Sequence, residues 1–309
     1  MTTRRASRRG DLNVNVRWGP ALADGIGQIF FQPVVWTGLA VLAAFVVADW
    51  RMAVLVVIGT VSSTLTGYLL GVAHKDIQVG QQGFCGALIG AAVFSALGTQ
   101  WVAYPITIVA AALTAPVSLL VMWIFAHEPF KPLNLPSTTA PFCLLAGLMY
   151  TTTFSLHVAS TSDIMDQSTI SAFGKSILTN VSEVVLLNDV WAGALILLGL
   201  FLASWKVGVA AVLGSVVGSL CALALGEDIT GVGSGLEGYS GVLTAIALAV
   251  VFLKGTWEPW VMAVIGAVMT ALVTVWMHHV SGPVYTWPYI LTTWALLAVA
   301  HVIPRLQRA

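Results

Sequence analysis

Two stretches of the chain share one pattern that interrupts helix. Residues 136–142 read Pro-Ser-Thr-Thr-Ala-Pro-Phe, and residues 283–289 read Pro-Val-Tyr-Thr-Trp-Pro-Tyr. Proline has no amide hydrogen to donate, so the prolines on either side of Thr139 and Thr286 stop a regular helix there. Each stretch opens an apolar segment. Broken backbone in such a segment is typical of positions that are buried or line a cavity in a membrane protein.

Both stretches belong to a duplication that covers most of the chain. Residues 83–88 read Gly-Phe-Cys-Gly-Ala-Leu and residues 238–243 read Gly-Tyr-Ser-Gly-Val-Leu, at an offset of 155 residues. Trp36 and Trp191 keep that offset, which falls to 147 at the two proline motifs. A register kept over about 60 residues is not chance, and it predicts an internal repeat with a length change late in the unit.

The composition indicates that lipid is the solvent of this chain. Of the 309 residues, 58% are hydrophobic and only 8% are charged, and the mean hydropathy is +0.91. A soluble domain carries about 25% charged residues. The formal net charge is zero, so no basic surplus favours a nucleic acid. These values exclude a soluble enzyme, a disordered chain, a secreted disulfide scaffold and a nucleic-acid binder.

Ten apolar segments follow one another along the chain. A straight membrane-spanning helix needs about 20 residues, a length that the segments 84–97 and 238–253 do not reach. We therefore predict an all-α polytopic membrane protein with ten transmembrane helices, five in each half. The segments are 28–48, 52–73, 84–97, 101–125, 138–156, 183–204, 207–226, 238–253, 257–276 and 285–303.

The basic residues predict the orientation. With ten crossings, eleven of the 13 lie on the side of the N-terminus, while Arg51 and Lys175 lie on the other. The positive-inside rule then places both termini in the cytoplasm. Five crossings per half is an odd number, so the second half is inverted relative to the first. The eleven residues are Arg4, Arg5, Arg8, Arg9, Arg17, Lys75, Lys131, Lys206, Lys254, Arg305 and Arg308.

These patterns divide the chain into five parts. We predict a cytoplasmic N-terminal tail (1–24), a first repeat (25–156), an outer linker (157–179), a second repeat (180–303) and a cytoplasmic C-terminal tail (304–309). The linker is polar and includes Asp163 and Asp166, and nothing in it indicates a separate soluble domain.

Gln28 and Glu183 occupy equivalent places in the two halves and each bears a side-chain oxygen. A carboxylate at membrane depth is costly, which makes Glu183 a functional candidate. The alternative is an interfacial glutamate at the N-terminus of a helix, where the helix dipole favours it. Glu183 opens an apolar segment, so both interpretations stay open.

The other candidates also come in pairs. The hydroxyls of Thr139 and Thr286 either meet inside the protein or bond to their own backbone. Aromatic and leucine residues spaced by four share one helix face, and the alternative for such a stripe is core packing. If the two faces oppose each other, they form a flat apolar slot. These pairs are Phe84 with Leu88 and Tyr239 with Leu243.

Nothing predicts a catalytic, metal or cofactor site. Cys85, Cys143 and Cys221 lie in apolar runs and are interpreted as buried small residues. The six histidines have no metal-ligand spacing, and the chain has neither a phosphate-binding loop nor a dinucleotide fingerprint. Few ionisable groups lie in the middle of a segment, which disfavours proton- or sodium-coupled transport.

Three motifs and their second-half partners resemble the urea transporter family. They are Gly-Ile-Gly-Gln-Ile-Phe-Phe-Gln at 25–32, Gly-Phe-Cys-Gly-Ala-Leu at 83–88 and Leu-Pro-Ser-Thr-Thr-Ala-Pro-Phe at 135–142. The resemblance covers about residues 25–300. It implies a homotrimer of the cell membrane, with a passive urea pore in each protomer. It also implies two inverted five-helix repeats with two half-length pore helices, urea and membrane lipid as partners, and no cofactor.

The resemblance also assigns roles to residues. Thr139 and Thr286 match the central threonines, and Gln28 and Glu183 match the polar positions at the inner and outer ends. The positions that match the slot walls, and their neighbours, are Phe84, Leu88, Tyr239, Leu243, Phe31, Val184 and Leu236.

The chain departs from the family at several positions. Cys85 and Ser240 stand where asparagine is usual, Gly282 precedes Pro283 where leucine is usual, and Tyr289 replaces phenylalanine. These differences concern the polarity of the filter. A channel for another small amide or for ammonia, an ion-coupled transporter of a small polar solute and, more distantly, a membrane enzyme remain the alternatives.

Overall fold

The computed structural model describes residues 16–158, 168–280, 283–303 and 306–308. Over these residues the chain is predominantly helical, which confirms the predicted all-α class. Some residues named above lie outside the described ranges, among them Arg4, Arg5, Arg8, Arg9, Asp163, Asp166 and Arg305.

The helices follow the apolar segments. The first half contains α1 (Trp18–Gly27), α2 (Val35–Leu69), α3 (His74–Gln78), α4 (Phe84–Leu97), α5 (Ala103–Phe125) and α6 (Ala140–Thr152). The second contains α7 (Thr169–Glu183), α8 (Val190–Ala203), α9 (Trp205–Leu225), α10 (Ile229–Ser234), α11 (Tyr239–Ile246), α12 (Glu258–Val280) and α13 (Trp287–Val302). A π-helical turn, Ala247–Val251, continues α11.

The structure shifts the start of the first predicted segment and keeps the break between the first and second segments. Residues 28–30 form a 3₁₀ turn, and α2 begins only at Val35. Inside α2 the backbone leaves helical geometry at a kink at Asp49, where φ is −159° and ψ is 117°, so its two parts follow the two predicted segments. The Asp49 carboxylate accepts a hydrogen bond of 2.8 Å from the Arg51 backbone amide and so caps the helix after the kink. Ser204 has nearly the same backbone angles, −159° and 119°, between α8 and α9.

Within the described ranges, four helices are long and apolar enough to cross a membrane: α2, α5, α9 and α12. Shorter apolar helices accompany them, among them α4, α6, α8 and α13. Large apolar side chains cover the outside of the bundle, with Trp101 79% and Trp191 74% exposed. Water would penalise such a surface, whereas hydrocarbon does not.

Two helices begin inside segments predicted as tail and linker. Helix α1 starts at Trp18 and buries Ala21 and Ile26, and it packs against α2. Helix α7 starts at Thr169 and buries Ala172 and Ser176, and it packs against α8. Both therefore belong to the folded body.

Reciprocal glycine contacts bring the inner helices together. A Cβ atom at Gly59 in α2 would overlap the carbonyl oxygen of Gly86 in α4, and the reverse substitution would overlap the carbonyl oxygen of Gly59. Gly214 in α9 and Gly241 in α11 meet in the same way. The absence of side chains allows these backbones to approach closely.

A short strand pair joins the C-terminal residues to the body. Strand β1 (Leu253–Lys254) pairs antiparallel with β2 (Gln307–Arg308). The Arg308 guanidinium donates a hydrogen bond of 2.6 Å to the Asn134 carbonyl. The end of the chain is therefore anchored close to the loop that leads into the first proline motif.

Candidate functional site: a buried hydroxyl pair beside a polar cavity

The two proline motifs meet inside the protein. The Oγ1 atoms of Thr139 and Thr286 are 2.6 Å apart and share a hydrogen bond. Thr139 is 4% and Thr286 2% exposed. Thr139 immediately precedes α6 and Thr286 immediately precedes α13, with φ and ψ of −90° and 13° for Thr139 and −90° and 16° for Thr286. The hydroxyls bond to each other, so the alternative of two purely local backbone bonds is wrong.

The backbone around each threonine prevents a continuous helix, and the second proline of each motif lies in the first turn of the helix that follows. Thr138 and Tyr285 have positive φ values, 50° and 46°, a conformation that cannot continue a helix. Pro141 and Pro288 then occupy the first turn of α6 and α13, where no amide hydrogen is needed. The N-termini of two helices therefore face one buried point. The partial positive charge at such ends favours an electron-rich oxygen.

Cys143 extends the hydroxyl pair. Its sulfur lies 3.1 Å from Thr286 Oγ1, one turn into α6, and the residue is 1% exposed. The prediction of a buried cysteine holds for Cys85 and Cys143, while Cys221 is only partly buried. The sequence did not indicate that a cysteine touches the threonines.

A cavity of about 440 Å³ opens beside Thr139. Five of the predicted site residues line it: Gln28, Phe31, Phe84, Thr139 and Leu243. We call it the Gln28 cavity. Gln82, Phe252 and Tyr289 also line it and were not predicted. The wall thus combines amide and hydroxyl groups with flat aromatic rings.

The geometry of Gln28 and Phe31 follows from a tight turn after α1. The Gln28 Nε2 donates a hydrogen bond of 2.9 Å to the Val79 carbonyl, which fixes the amide plane. Phe31 has a φ of 59°. Its ring meets Phe252 edge to face at 5.7 Å between centroids, and Tyr289 at 6.2 Å. Such edge contacts hold aromatic rings in defined orientations.

The remaining predicted residues do not line the Gln28 cavity. Leu88, Val184 and Tyr239 are buried, with 1%, 2% and 5% exposed. Glu183 is 8% exposed, whereas Leu236 is 40% exposed on the surface. The Tyr239 hydroxyl donates to the Tyr285 carbonyl, beside Thr286, and so ties α11 to the second proline motif.

The position of Glu183 corrects the prediction that it stands at the start of a helix. It is the last residue of α7, and α8 begins only at Val190. The negative end of a helix dipole disfavours a carboxylate. The interpretation of Glu183 as a cap at a helix N-terminus is therefore wrong, and its burial needs another reason.

A second pair of polar residues was missed, although the sequence contained the signal. Gln82 and Glu237 precede the two glycine–aromatic motifs at the same offset of 155, and they are only 6% and 8% exposed. Both carboxylate oxygens of Glu237 lie 3.2 Å from His278 Nδ1. This contact joins the loop before α11 to the last turn of α12, and histidine spacing alone did not predict it.

Among the residues that the structure describes, no group of three or more His, Cys, Asp or Glu side chains is placed to hold a metal ion. The groups that meet are hydroxyls, amides, a thiol and aromatic rings. They can form hydrogen bonds with a small neutral solute and make flat contacts with its faces.

Comparison with known proteins gives a consistent match. Residues 20–301 match the family described as Urea transporter. Urea transporter 1 of Rattus norvegicus is 30% identical over 304 residues, which cover 92% of this chain and 77% of the relative. Urea transporter 1 of Ovis aries is 27% identical over 310 residues and that of Mus musculus is 27% identical over 309, with the same coverage.

Proposed function

The chain belongs to the urea transporter family, and on that premise we propose that it carries urea passively across the cell membrane through a channel in each protomer. The observation that carries this proposal is the buried Thr139–Thr286 hydroxyl pair beside the Gln28 cavity. The family is one of transport proteins, and its membership together with the apolar helices makes this a membrane-embedded protein.

The chemistry of urea suits this wall. Urea is flat and neutral, with four N–H donors and one carbonyl acceptor. Removing an amide from water without compensation costs several kcal/mol. In the proposal, the oxygens of Gln28, Thr139 and Thr286 replace the lost water at the edges of the solute. Phe31 and Phe84 cover its faces.

In the proposal, ions are excluded because the walls of the pore cannot replace their water. A hydrated cation or anion needs its water shell replaced by several strong ligands. Aromatic and leucyl walls, such as Phe84 and Leu243, supply none. Each contact with urea is weak and neutral, so the solute leaves as readily as it enters.

In this proposal, residues of the second half form the outer end of the pore. Glu183 accepts urea N–H groups at the outer mouth, and Gln28 does so at the inner mouth. The neighbouring apolar residues Leu88, Val184 and Tyr239 form the wall between the outer mouth and the centre. Leu236, which is exposed on the surface, borders that mouth.

Recurring backbone geometry supports the two repeats of the proposal. Residues with positive φ recur at the offset of 155: Phe31 with Leu186, Gly71 with Gly226 and Gly80 with Gly235. Thr138 and Tyr285 recur at the offset of 147. Each shared conformation sits between corresponding helices. The proposal therefore includes ten crossings, two half-length pore helices, cytoplasmic termini and, from the family resemblance, a homotrimer.

Stopped-flow light scattering on proteoliposomes tests the function. Vesicles that contain the protein are mixed with a urea gradient, and their recovery of volume is compared with that of empty vesicles. We expect recovery to be much faster with the protein. Recovery equal to that of empty vesicles would contradict the proposal.

Parallel gradients separate the alternatives. Thiourea and formamide report a broader amide channel, ammonia entry is read with a pH-sensitive dye inside the vesicles, and glycerol reports a non-selective pore. The proposal requires urea to be the preferred solute, and a larger permeability to ammonia or glycerol would favour another channel.

A further inference from the structure

The central hydroxyl pair is asymmetric in a way that the duplication does not explain. Cys143 contacts Thr286 at 3.1 Å. At the offset of 147, the residue equivalent to Cys143 is Ile290, which is fully buried and has no polar side-chain atom. The thiol therefore breaks the symmetry of the pair from one side.

Two hydroxyl groups carry two protons. One lies in the hydrogen bond between the two oxygens, and the other can be donated to a third group. The Oγ1 atoms of Thr139 and Thr286 are 2.6 Å apart, and either can donate to the other. Without a third group, the two directions are close in energy. A neighbour that prefers to donate or to accept decides between them.

The surroundings of Cys143 favour donation from its thiol. The sulfur and Thr286 Oγ1 are 3.1 Å apart, and either atom can donate in this contact. Sulfur is a weak acceptor, whereas a hydroxyl oxygen is a good one. The S–H bond therefore points to Thr286 Oγ1, and the Thr286 proton goes to Thr139.

We propose that Cys143 is a positioning residue that orients the hydroxyl pair, so that the proton of Thr139 is presented to the solute. Thr139 lines the Gln28 cavity, and its proton meets the carbonyl oxygen of urea there. This inference rests on the proposed function. It makes the centre of the filter a donor for the solute oxygen, in addition to an acceptor for its N–H groups.

Comparison of urea with thiourea measures this donor. Thiourea has the same shape and N–H groups, but its sulfur is a weaker acceptor than the urea oxygen. A donating Thr139 therefore favours urea. Loss of the thiol frees the pair to reverse, and the urea-to-thiourea permeability ratio falls.

The transport experiment compares three variants in proteoliposomes at equal protein density. We expect Cys143→Val to lower the permeability ratio by roughly 2- to 5-fold, the range for one weak hydrogen bond. Cys143→Ser keeps a donor and retains the ratio. Ile290→Val, the matched control on the equivalent position, changes packing but not the ratio.

Two outcomes would overturn the inference. One is a wild-type ratio in Cys143→Val, and the other is an equal fall in Ile290→Val, which would assign the effect to packing. In both, wild-type protein still carries urea. Wild-type protein without urea flux would instead contradict the proposed function itself.

Infrared spectroscopy tests the inference independently of transport. The S–H stretching band of Cys143 is identified as the band that disappears in Cys143→Ser. We expect Thr286→Val to move this band to higher frequency, because the thiol loses its acceptor, while Ile290→Val leaves it in place. A band that does not move in Thr286→Val means that the thiol does not donate to Thr286, and it would refute the inference.

Discussion

At the scale of single residues, the hydroxyls of Thr139 and Thr286 are the most informative groups. They lie 147 positions apart in the sequence, yet they form one hydrogen bond in the interior. Each stands before a helix whose first turn contains a proline. Burial of a hydroxyl is favourable only with a partner, and here each threonine supplies the partner of the other.

Thr139→Val and Thr286→Val should each slow urea flux while the protein still folds. Valine keeps the shape but removes the oxygen. A lost buried acceptor costs about 1–3 kcal/mol, or roughly 5- to 150-fold in rate. Flux is measured by stopped-flow light scattering at equal protein density.

Thr274→Val is the matched control for both variants. Thr274 is fully buried, but its hydroxyl donates to the Thr270 carbonyl of its own helix at 2.8 Å. The urea flux of Thr274→Val should equal that of the wild type. Wild-type flux in both Thr139→Val and Thr286→Val would refute the assignment of the two threonines to the filter.

Glu183 gives a prediction that separates transport from stability. Glu183→Gln keeps one acceptor oxygen and should retain partial flux, whereas Glu183→Leu removes both and should abolish measurable binding at the outer site. Because Glu183 ends α7, where a helix dipole disfavours a carboxylate, the leucine variant should keep or raise the melting temperature.

Melting temperature and flux are measured on the same Glu183→Leu preparation. A lower melting temperature together with normal flux would refute the role at the outer mouth and indicate a structural carboxylate.

At the scale of helices, close approach through glycine decides where α4 and α11 lie. Gly59 and Gly86 join α2 to α4, and Gly214 and Gly241 join α9 to α11. Phe84 and Tyr239 are the first residues of α4 and α11, and Leu243 follows one turn later. A shift of either helix would therefore move the wall of the proposed slot.

Gly86→Ala should destabilise the protein and reduce flux. The new Cβ atom would overlap the carbonyl oxygen of Gly59, and overpacking of this kind costs typically about 1–3 kcal/mol. The measurement is thermal unfolding in detergent, followed by flux in vesicles. Gly147→Ala in α6 is the control, because a Cβ atom there meets nothing within 4 Å. Equal melting temperatures for the two variants would contradict the glycine contact.

At the scale of the whole molecule, the two halves present similar groups with different charge. The glutamines Gln28 and Gln82 of the first half correspond to Glu183 and Glu237 of the second, and Glu237 already contacts His278. A proton-coupled cycle needs a relay of titratable groups along the pathway. The first half has neutral glutamines at these positions, so the two halves together form a poor relay.

Urea flux should therefore run only down its gradient. Proteoliposomes with equal urea on both sides receive an imposed proton or sodium gradient, and labelled urea is followed with time. We expect no accumulation, and the same rate of equilibration with and without either ion gradient. Accumulation of labelled urea would replace the channel with a coupled transporter.

The sequence by itself determined the lipid environment, the all-α class and the pairing of motifs, because composition and register are properties of the chain alone. It also singled out the two threonines, since paired prolines leave few conformations open to the backbone. The exact ends of helices were less accessible. Glu183 lies beside an apolar run, and hydrophobicity does not reveal whether such a residue begins or ends a helix. The break at Asp49, in contrast, follows the gap between two apolar segments.

Only the tertiary structure decided which side chains touch. It placed Cys143 against Thr286 and His278 against Glu237, and it gathered Phe31, Phe252 and Tyr289 around one cavity. These contacts join residues from different helices. They depend on helix packing and on close approach at glycines, which a pattern along one chain does not specify.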